Sequence, residues 1–308
     1  MRYLVTGGCG FIGTHLAAAL QQAGHRVHVL DDLSNGRKER LPSGIPLRVA
    51  DVCDEQEAAA ALAAADGCFH LAAIASVTQC EEHWKRAHEV NLTAGVQLMR
   101  LCAEREIPIV YASSAAVYGA CPPPHRETAL PSPLSGYGAD KLSCEYHAAA
   151  LAHRGLRSAG LRFFNIYGPG QDPSSPYAGV ISRFAQRLLA GQELILYGDG
   201  GQERDFVYVT DAVSALQRAM ERLHQRALPQ AVCNVCTGRA TSIRQLGQIM
   251  ARLCDTEAIF RREDARGGDI RYSRGDPARL RRRLGIACDV PLKEGLRQTL
   301  QWMRGQGG

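Results

Sequence analysis

Tyr137 and Lys141 are four positions apart, a spacing that puts a phenol and an ammonium on one face of a helix, about one turn from each other. A free phenol has a pKa of about 10, too high for a base near neutral pH. A neighbouring cation favours the phenolate and lowers that value, making the pair a candidate base for an alcohol. Ser113 and Ser114 end the segment before it, and the Ser114 hydroxyl can bond the same alcohol. The pattern is common by chance. Its meaning depends on what else the chain carries.

A second group does carry weight. Thr6-Gly7-Gly8-Cys9-Gly10-Phe11-Ile12-Gly13 lies between a short β-rich run and a stretch with helical apolar spacing. Glycines allow a tight turn and a close backbone approach to a pyrophosphate, whose charge is favoured at a helix N-terminus. Asp31 ends the next strand, 18 residues beyond Gly13, where a carboxylate can hold both ribose hydroxyls of an adenosine. It would repel a 2′-phosphate, so NAD is expected over NADP, although Arg37 and Lys38 stand close enough to serve the phosphorylated form. The positive nicotinamide would add a second charge favouring the Tyr137 phenolate.

The elements that position these groups alternate. Strands are expected at 2–6, 25–30, 46–50, 67–71, 107–112 and 158–164, with helices at 14–23, 55–65, 84–106 and 137–154. That alternation argues for a parallel sheet covered on both faces. Residues 168–176 hold too many breakers for regular structure. Beyond them the reading gives helices at 180–190, 211–225 and 242–253, and strands at 193–197 and 204–209.

The 308 residues correspond to about two domains at roughly 150 residues each. Composition is ordinary for a globular protein, at 45% hydrophobic and 22% charged. Apolar stretches fall short of the ~20 residues of a membrane span, and the N-terminal run is broken by glycines, unlike a signal peptide. A cytoplasmic protein is expected. Eleven cysteines in irregular spacing read as reduced thiols, and Cys233 and Cys236, though spaced CxxC, read as small hydrophobes in a strand rather than metal ligands. Between positions 261 and 283 nine arginines face four acids, an excess equal to the whole net charge of +5. No stacking aromatics are interleaved, so nucleic acid is not expected as a partner. One or two of these arginines could clamp a small polyanion.

The glycines spaced three and three, followed by Asp51-Val52, His70-Leu71-Ala72-Ala73, Asn91 and YxxxK, resemble the extended short-chain dehydrogenase/reductase family. The resemblance implies an α/β fold, a Rossmann-type doubly wound parallel sheet with a smaller α/β C-terminal substrate domain. Residues 1–167 would bind NAD, with about 203–230 returning to that domain, while 168–202 and 231–308 would bind substrate. It implies NAD contacts from Gly7, Gly10, Phe11, Ile12, Gly13, Asp31, Asp32, Asn35, Asp51, Val52, Leu71, Ala72, Ala73, Asn91, Tyr137, Lys141 and Phe163, with Ser114, Tyr137 and Lys141 catalytic.

Within that family, the stretches 162–170, 197–211 and 266–269 are similar to nucleotide-sugar 4-epimerases. They imply a UDP-sugar held by Ser114, Tyr137, Asn165, Val180, Tyr197, Arg204, Arg266, Asp269 and Ser273, with both arginines on phosphate and Asp269 on the uridine ribose. Sister dehydratases and decarboxylases carry an acid just after the serine, where this chain has Ala115-Ala116. Ala116 also replaces a hydroxyl, and Ala75 a lysine, of some relatives. Ser273, small where plain-hexose enzymes often have tyrosine, implies UDP-N-acetylglucosamine, with UDP-glucose as the alternative. The family also implies a homodimer through a four-helix bundle of helices 84–106 and 137–154.

Overall fold

The computed structural model describes residues 1–172, 178–226, 228, 230–265 and 270–305. The chain opens with β1 (Arg2–Thr6), α1 (Phe11–Gln22), β2 (Arg26–Asp31), β3 (Leu47–Val49), α2 (Glu55–Leu62) and β4 (Gly67–His70). Helices α3 (Val77–Glu82), α4 (Trp84–His88) and α5 (Ala94–Glu104) lead to β5 (Ile109–Ser114), α6 (Gly136–Ala152) and β6 (Ser158–Phe163). Then come β7 (Asn165–Tyr167), α7 (Val180–Leu189), β8 (Leu194–Tyr197), β9 (Glu203–Tyr208) and α8 (Val209–His224). The chain continues with β10 (Gln230–Val235), β11 (Ala240–Ser242), α9 (Ile243–Leu253), β12 (Phe260–Glu263) and β13 (Tyr272–Ser273). It ends in α10 (Ala278–Leu284) and α11 (Leu292–Gly305).

Seven strands form one sheet in the order β10-β6-β5-β4-β1-β2-β3, and every neighbouring pair is parallel. Successive side chains of a strand face opposite sides. Accordingly Tyr3 and Val5 join one buried cluster while Leu4, between them, joins the other. Strands β4 and β6 are buried along their whole length, as parallel strands covered on both faces must be. Strand order reverses between β1 and β4, so a crevice opens at the carboxyl ends of these strands. The Rossmann-type expectation is met.

A second sheet is centred on β9, which pairs parallel with β7 and β13 and antiparallel with β11. Strands β8 and β12 form a separate parallel pair. The sequence reading returns about 203–230 to the NAD-binding domain, and α8 within that segment packs against β6 of the large sheet. It is β10, placed beyond that boundary by the sequence reading, that joins β6 in the large sheet, while β9 belongs to the small one. The single helix expected at 84–106 also differs: α4 and α5 are joined through a π-helical turn at Glu89–Thr93. That wide turn carries Asn91 fully inward, where its side chain is tied to the backbone of Ile74.

All eleven cysteines are free thiols. Cys233 and Cys236 are both buried, and burial pushes the Cys233 thiol up to about 12. No helix among the described residues is long and apolar enough to cross a membrane.

Candidate active site

The crevice begins at the turn between β1 and α1. Gly7 has a φ of +68°, and a Cβ there would stand 2.6 Å from the backbone nitrogen of Ala72. A Cβ on Gly13 would collide with the Gly7 carbonyl oxygen. Both positions therefore require glycine, for conformation in one case and for space in the other. No side chain caps the N-terminus of α1, and its first turn holds no acid. Its leading N–H groups have no intrahelical partner and suit an anion.

A cleft of about 280 Å³ opens beside this turn. Its walls include ten residues expected from the sequence: Gly7, Gly10, Asp31, Asp32, Asn35, Asp51, Val52, Leu71, Ala72 and Ala73. Phe11 and Ile12, by contrast, pack partly buried against the main core. Asp31 is 7% exposed, and its two oxygens accept the backbone N–H groups of Cys9 and Leu33, each at 2.9 Å. Burial raises its pKa while these backbone bonds pull it down. Arg37, the cation that left a 2′-phosphate open, is instead drawn to Asp172 at 2.5 Å. The glycine cradle, the uncapped helix end and the seated Asp31 fit NAD.

Sequence reasoning missed Arg86, Gln79 and Ser34 on the cleft wall. Arg86 Nη2 donates to Asp51 Oδ2 at 2.6 Å from a helix 35 residues away in the chain. Burial works against the charged Asp51, yet the Cys53 N–H and the Arg86 guanidinium hold its carboxyl below the ordinary value. No periodicity could have signalled that pair. Asn91, expected at the cofactor, spends its amide elsewhere. Its Oδ1 accepts the Ile74 N–H at 2.9 Å and its Nδ2 donates to the Ile74 carbonyl at 3.0 Å, so it holds the loop after β4 that lines the cleft.

Ser114 ends β5, and Tyr137 lies in the first turn of α6. The Ser114 hydroxyl accepts the Ala116 N–H at 3.1 Å and lies near enough to Tyr137 to favour its phenolate. Gly138 lets the start of α6 approach: a Cβ there would stand 2.6 Å from the Ala116 carbonyl oxygen. Lys141 is buried one turn on, with Nζ 5.8 Å from the centre of the Tyr137 ring. The expected depression of the phenol is not supplied by the chain's own groups. Burial pushes Tyr137 up to about 12, outweighing the pull of Ser114, and burial lowers the Lys141 pKa as well. A further cation beside the ring is needed to make Tyr137 a base near neutrality. Behind them His70 Nδ1 lies 2.7 Å from Thr6 Oγ1. Burial, then the Lys141 charge, pushes this imidazole down to about 3, so it is neutral.

Three of the expected substrate residues, Asn165, Arg204 and Ser273, lie on or directly beside β9. Arg204 and Ser273 are direct partners across β9 and β13, and Arg204 Nη1 donates to the Ile270 carbonyl at 2.6 Å. Asn165 lies opposite Phe206 and donates to the Asp205 carbonyl at 3.2 Å. Val180 opens α7, Tyr197 closes β8, and Phe163 sits buried beside Ser114 at the end of β6. Arg266 and Asp269 lie outside the described residues.

With this geometry in place, the comparisons are consistent. The model of the NAD dependent epimerase/dehydratase family matches residues 3–236, and the chain belongs to that family of NAD-dependent enzymes. It is similar to a UDP-glucose 4-epimerase of Mycolicibacterium smegmatis, 35% identical with 99% of each chain covered. A UDP-N-acetyl-alpha-D-glucosaminuronate decarboxylase of Bacillus cytotoxicus is 31% identical, with 98% of each chain covered. The solved UDP-N-acetylglucosamine 4-epimerase of Methanobrevibacter ruminantium, in complex with UDP-N-acetylmuramic acid, superposes with a TM-score of 0.93. It shares 34% identity and covers 99% of this chain and 98% of its own.

Proposed function

We propose that the enzyme inverts C4 of a UDP-sugar through a transient 4-keto sugar. UDP-N-acetylglucosamine and UDP-N-acetylgalactosamine are the favoured pair, with UDP-glucose and UDP-galactose as the alternative. The observation that carries this reading is the placement of Ser114 at the carboxyl end of β5 with Tyr137 and Lys141 one turn apart on α6, Lys141 Nζ lying 5.8 Å from the centre of the Tyr137 ring. Bound NAD would supply reversible hydride acceptance at C4. Tyr137 takes the proton of the 4-hydroxyl and later returns it, while Ser114 holds the oxygen in place. The proton and the hydride are both returned to the sugar, so no net proton or electron is gained or lost over the cycle, and the nicotinamide charge would join Lys141 in favouring the phenolate.

Arg204, with Arg266 on the diphosphate and Asp269 on the ribose, would anchor the UDP end. Asn165, Val180 and Tyr197 would complete that grip. The hexose is then free to turn and present its other face, with binding energy placed on the part that does not react. Residues 1–167 with α8 and β10 would form the NAD-binding domain, and most of the remainder the substrate domain. One relative is a decarboxylase, but no acidic residue follows Ser114 in 115–119. That absence favours plain epimerisation.

Reading products by NMR from each of the four UDP-hexoses tests the reaction and the sugar together. Tyr137→Phe should cut turnover by about a thousandfold with NAD still bound. Activity within tenfold of the unaltered enzyme would remove Tyr137 as the base. Ser273→Tyr should depress turnover of the N-acetylated pair selectively, and an equal fall for both pairs would overturn the sugar assignment. We further propose a homodimer through the helices around α4, α5 and α6, on which Trp84 and Tyr146 are 63% and 60% exposed. Eleven free thiols suit a reducing compartment such as the cytoplasm.

A further inference from the structure

Tyr137, Lys141 and Glu145 occupy one stripe of α6, each a turn beyond the last. Glu145 is 5% exposed, and its carboxylate accepts three hydrogen bonds. Oε1 takes the Ser113 hydroxyl at 2.5 Å and Arg162 Nε at 2.9 Å, and Oε2 takes Arg162 Nη2 at 2.6 Å. Ser113 and Arg162 are direct partners across β5 and β6, so both turn the same face of the sheet towards α6. Arg162 is equally enclosed. Its guanidinium lies 4.8 Å from the centre of the Tyr118 ring, whose hydroxyl donates to Asn234 Oδ1 on β10 at 2.6 Å.

A buried ion pair is weak evidence for stability, because desolvating both charges costs about as much as their attraction returns. Geometry offers a better account. Ser113 immediately precedes Ser114, and Glu145 lies two turns along α6 from Tyr137. One carboxylate thus references both the strand that ends in Ser114 and the helix that carries Tyr137. We propose that Glu145 and Arg162 are positioning residues for proton transfer: they set the height of α6 on β5 and β6, and with it the approach of the phenol to Ser114. This rests on the reading of Tyr137 as the base. Neither residue touches the sugar or the reacting atoms in this proposal.

The test is steady-state kinetics on the NAD-loaded enzyme with a UDP-hexose, turnover being normalised to bound NAD. Glu145→Gln keeps the shape and loses the charge, and should lower kcat by about tenfold to a hundredfold. KM should stay within about twofold, since the UDP anchor is elsewhere. Arg162→Lys should recover part of the turnover that Arg162→Met loses. Ser113→Ala removes one neutral bond and leaves the ion pair intact, so it remains informative even where the charge variants fail to fold. It should lower kcat by about threefold or more with unchanged KM. Unchanged kcat per bound NAD in Ser113→Ala, or in a folded Glu145→Gln whatever its melting temperature, would overturn the proposal. If Tyr137→Phe is inactive while these variants turn over normally, only the positioning idea falls. If Tyr137→Phe is active, the base assignment falls instead.

Discussion

Tyr137 and His70 respond to the same surroundings in opposite ways that serve one end. Burial around Lys141 pushes the phenol up and the imidazole down, leaving both neutral in the chain's own field. Ser114 draws only the phenol towards its charged form, and in the proposed mechanism a bound cation converts it alone into a base. His70 has a consequence for stability. Its folded pKa lies near 3, below the ordinary 6.5, so under acid conditions the unfolded chain binds a proton that the folded chain refuses. Stability is therefore complete above pH 6.5 and is lost as the pH falls towards 3, by up to about 1.4 kcal/mol per pH unit. His70→Asn should flatten that decline. Denaturant unfolding at about pH 7 and about pH 5 measures it, and an equal slope in both proteins would show that His70 is not the group concerned.

At the scale of elements, the turn between β1 and α1 depends on close backbone approach. A methyl on Gly13 has nowhere to go except into the Gly7 carbonyl, so Gly13→Ala should reopen the turn and release NAD. The purified variant should carry less than about a tenth of the normal bound NAD, which absorbance and thermal shift on adding NAD will show. Full retention would mean that the helix start can slide without harm. The helices and long strands of the first half were legible because apolar residues recur at their own periods, and Gly24 closes α1 where expected. The short strands β7, β11 and β13 were not legible. Two or three residues carry no period, and each is a strand only because β9 lies beside it.

Over the whole molecule, two sheets meet near the carboxyl edge where Ser114, Phe163 and Asn165 follow one another in space. The proposed dimer belongs to this scale. Trp84 and Tyr146 are large, exposed and carried on the two helices that His88 and Asp140 join at 2.8 Å. Trp84→Glu with Tyr146→Glu should shift the sedimenting species from dimer to monomer with the fold intact. An unchanged dimer would place the interface elsewhere.

The residues proposed to do chemistry announced themselves locally. Gly7, Gly10, Gly13 and Asp31 are separated by one strand and one helix, and Tyr137 and Lys141 by one turn, so spacing alone conveys their geometry. The groups that hold them in place are distant in sequence and could be found only in the folded chain. Arg86 reaches Asp51 across 35 residues, Asn91 reaches Ile74 through a wide turn, and Ser113 and Arg162 meet at Glu145 only because β5 and β6 pair in one register. Periodicity records which side of an element is apolar. Which charged groups meet inside is decided by how strands pair and helices settle on them, and that is a property of the tertiary fold.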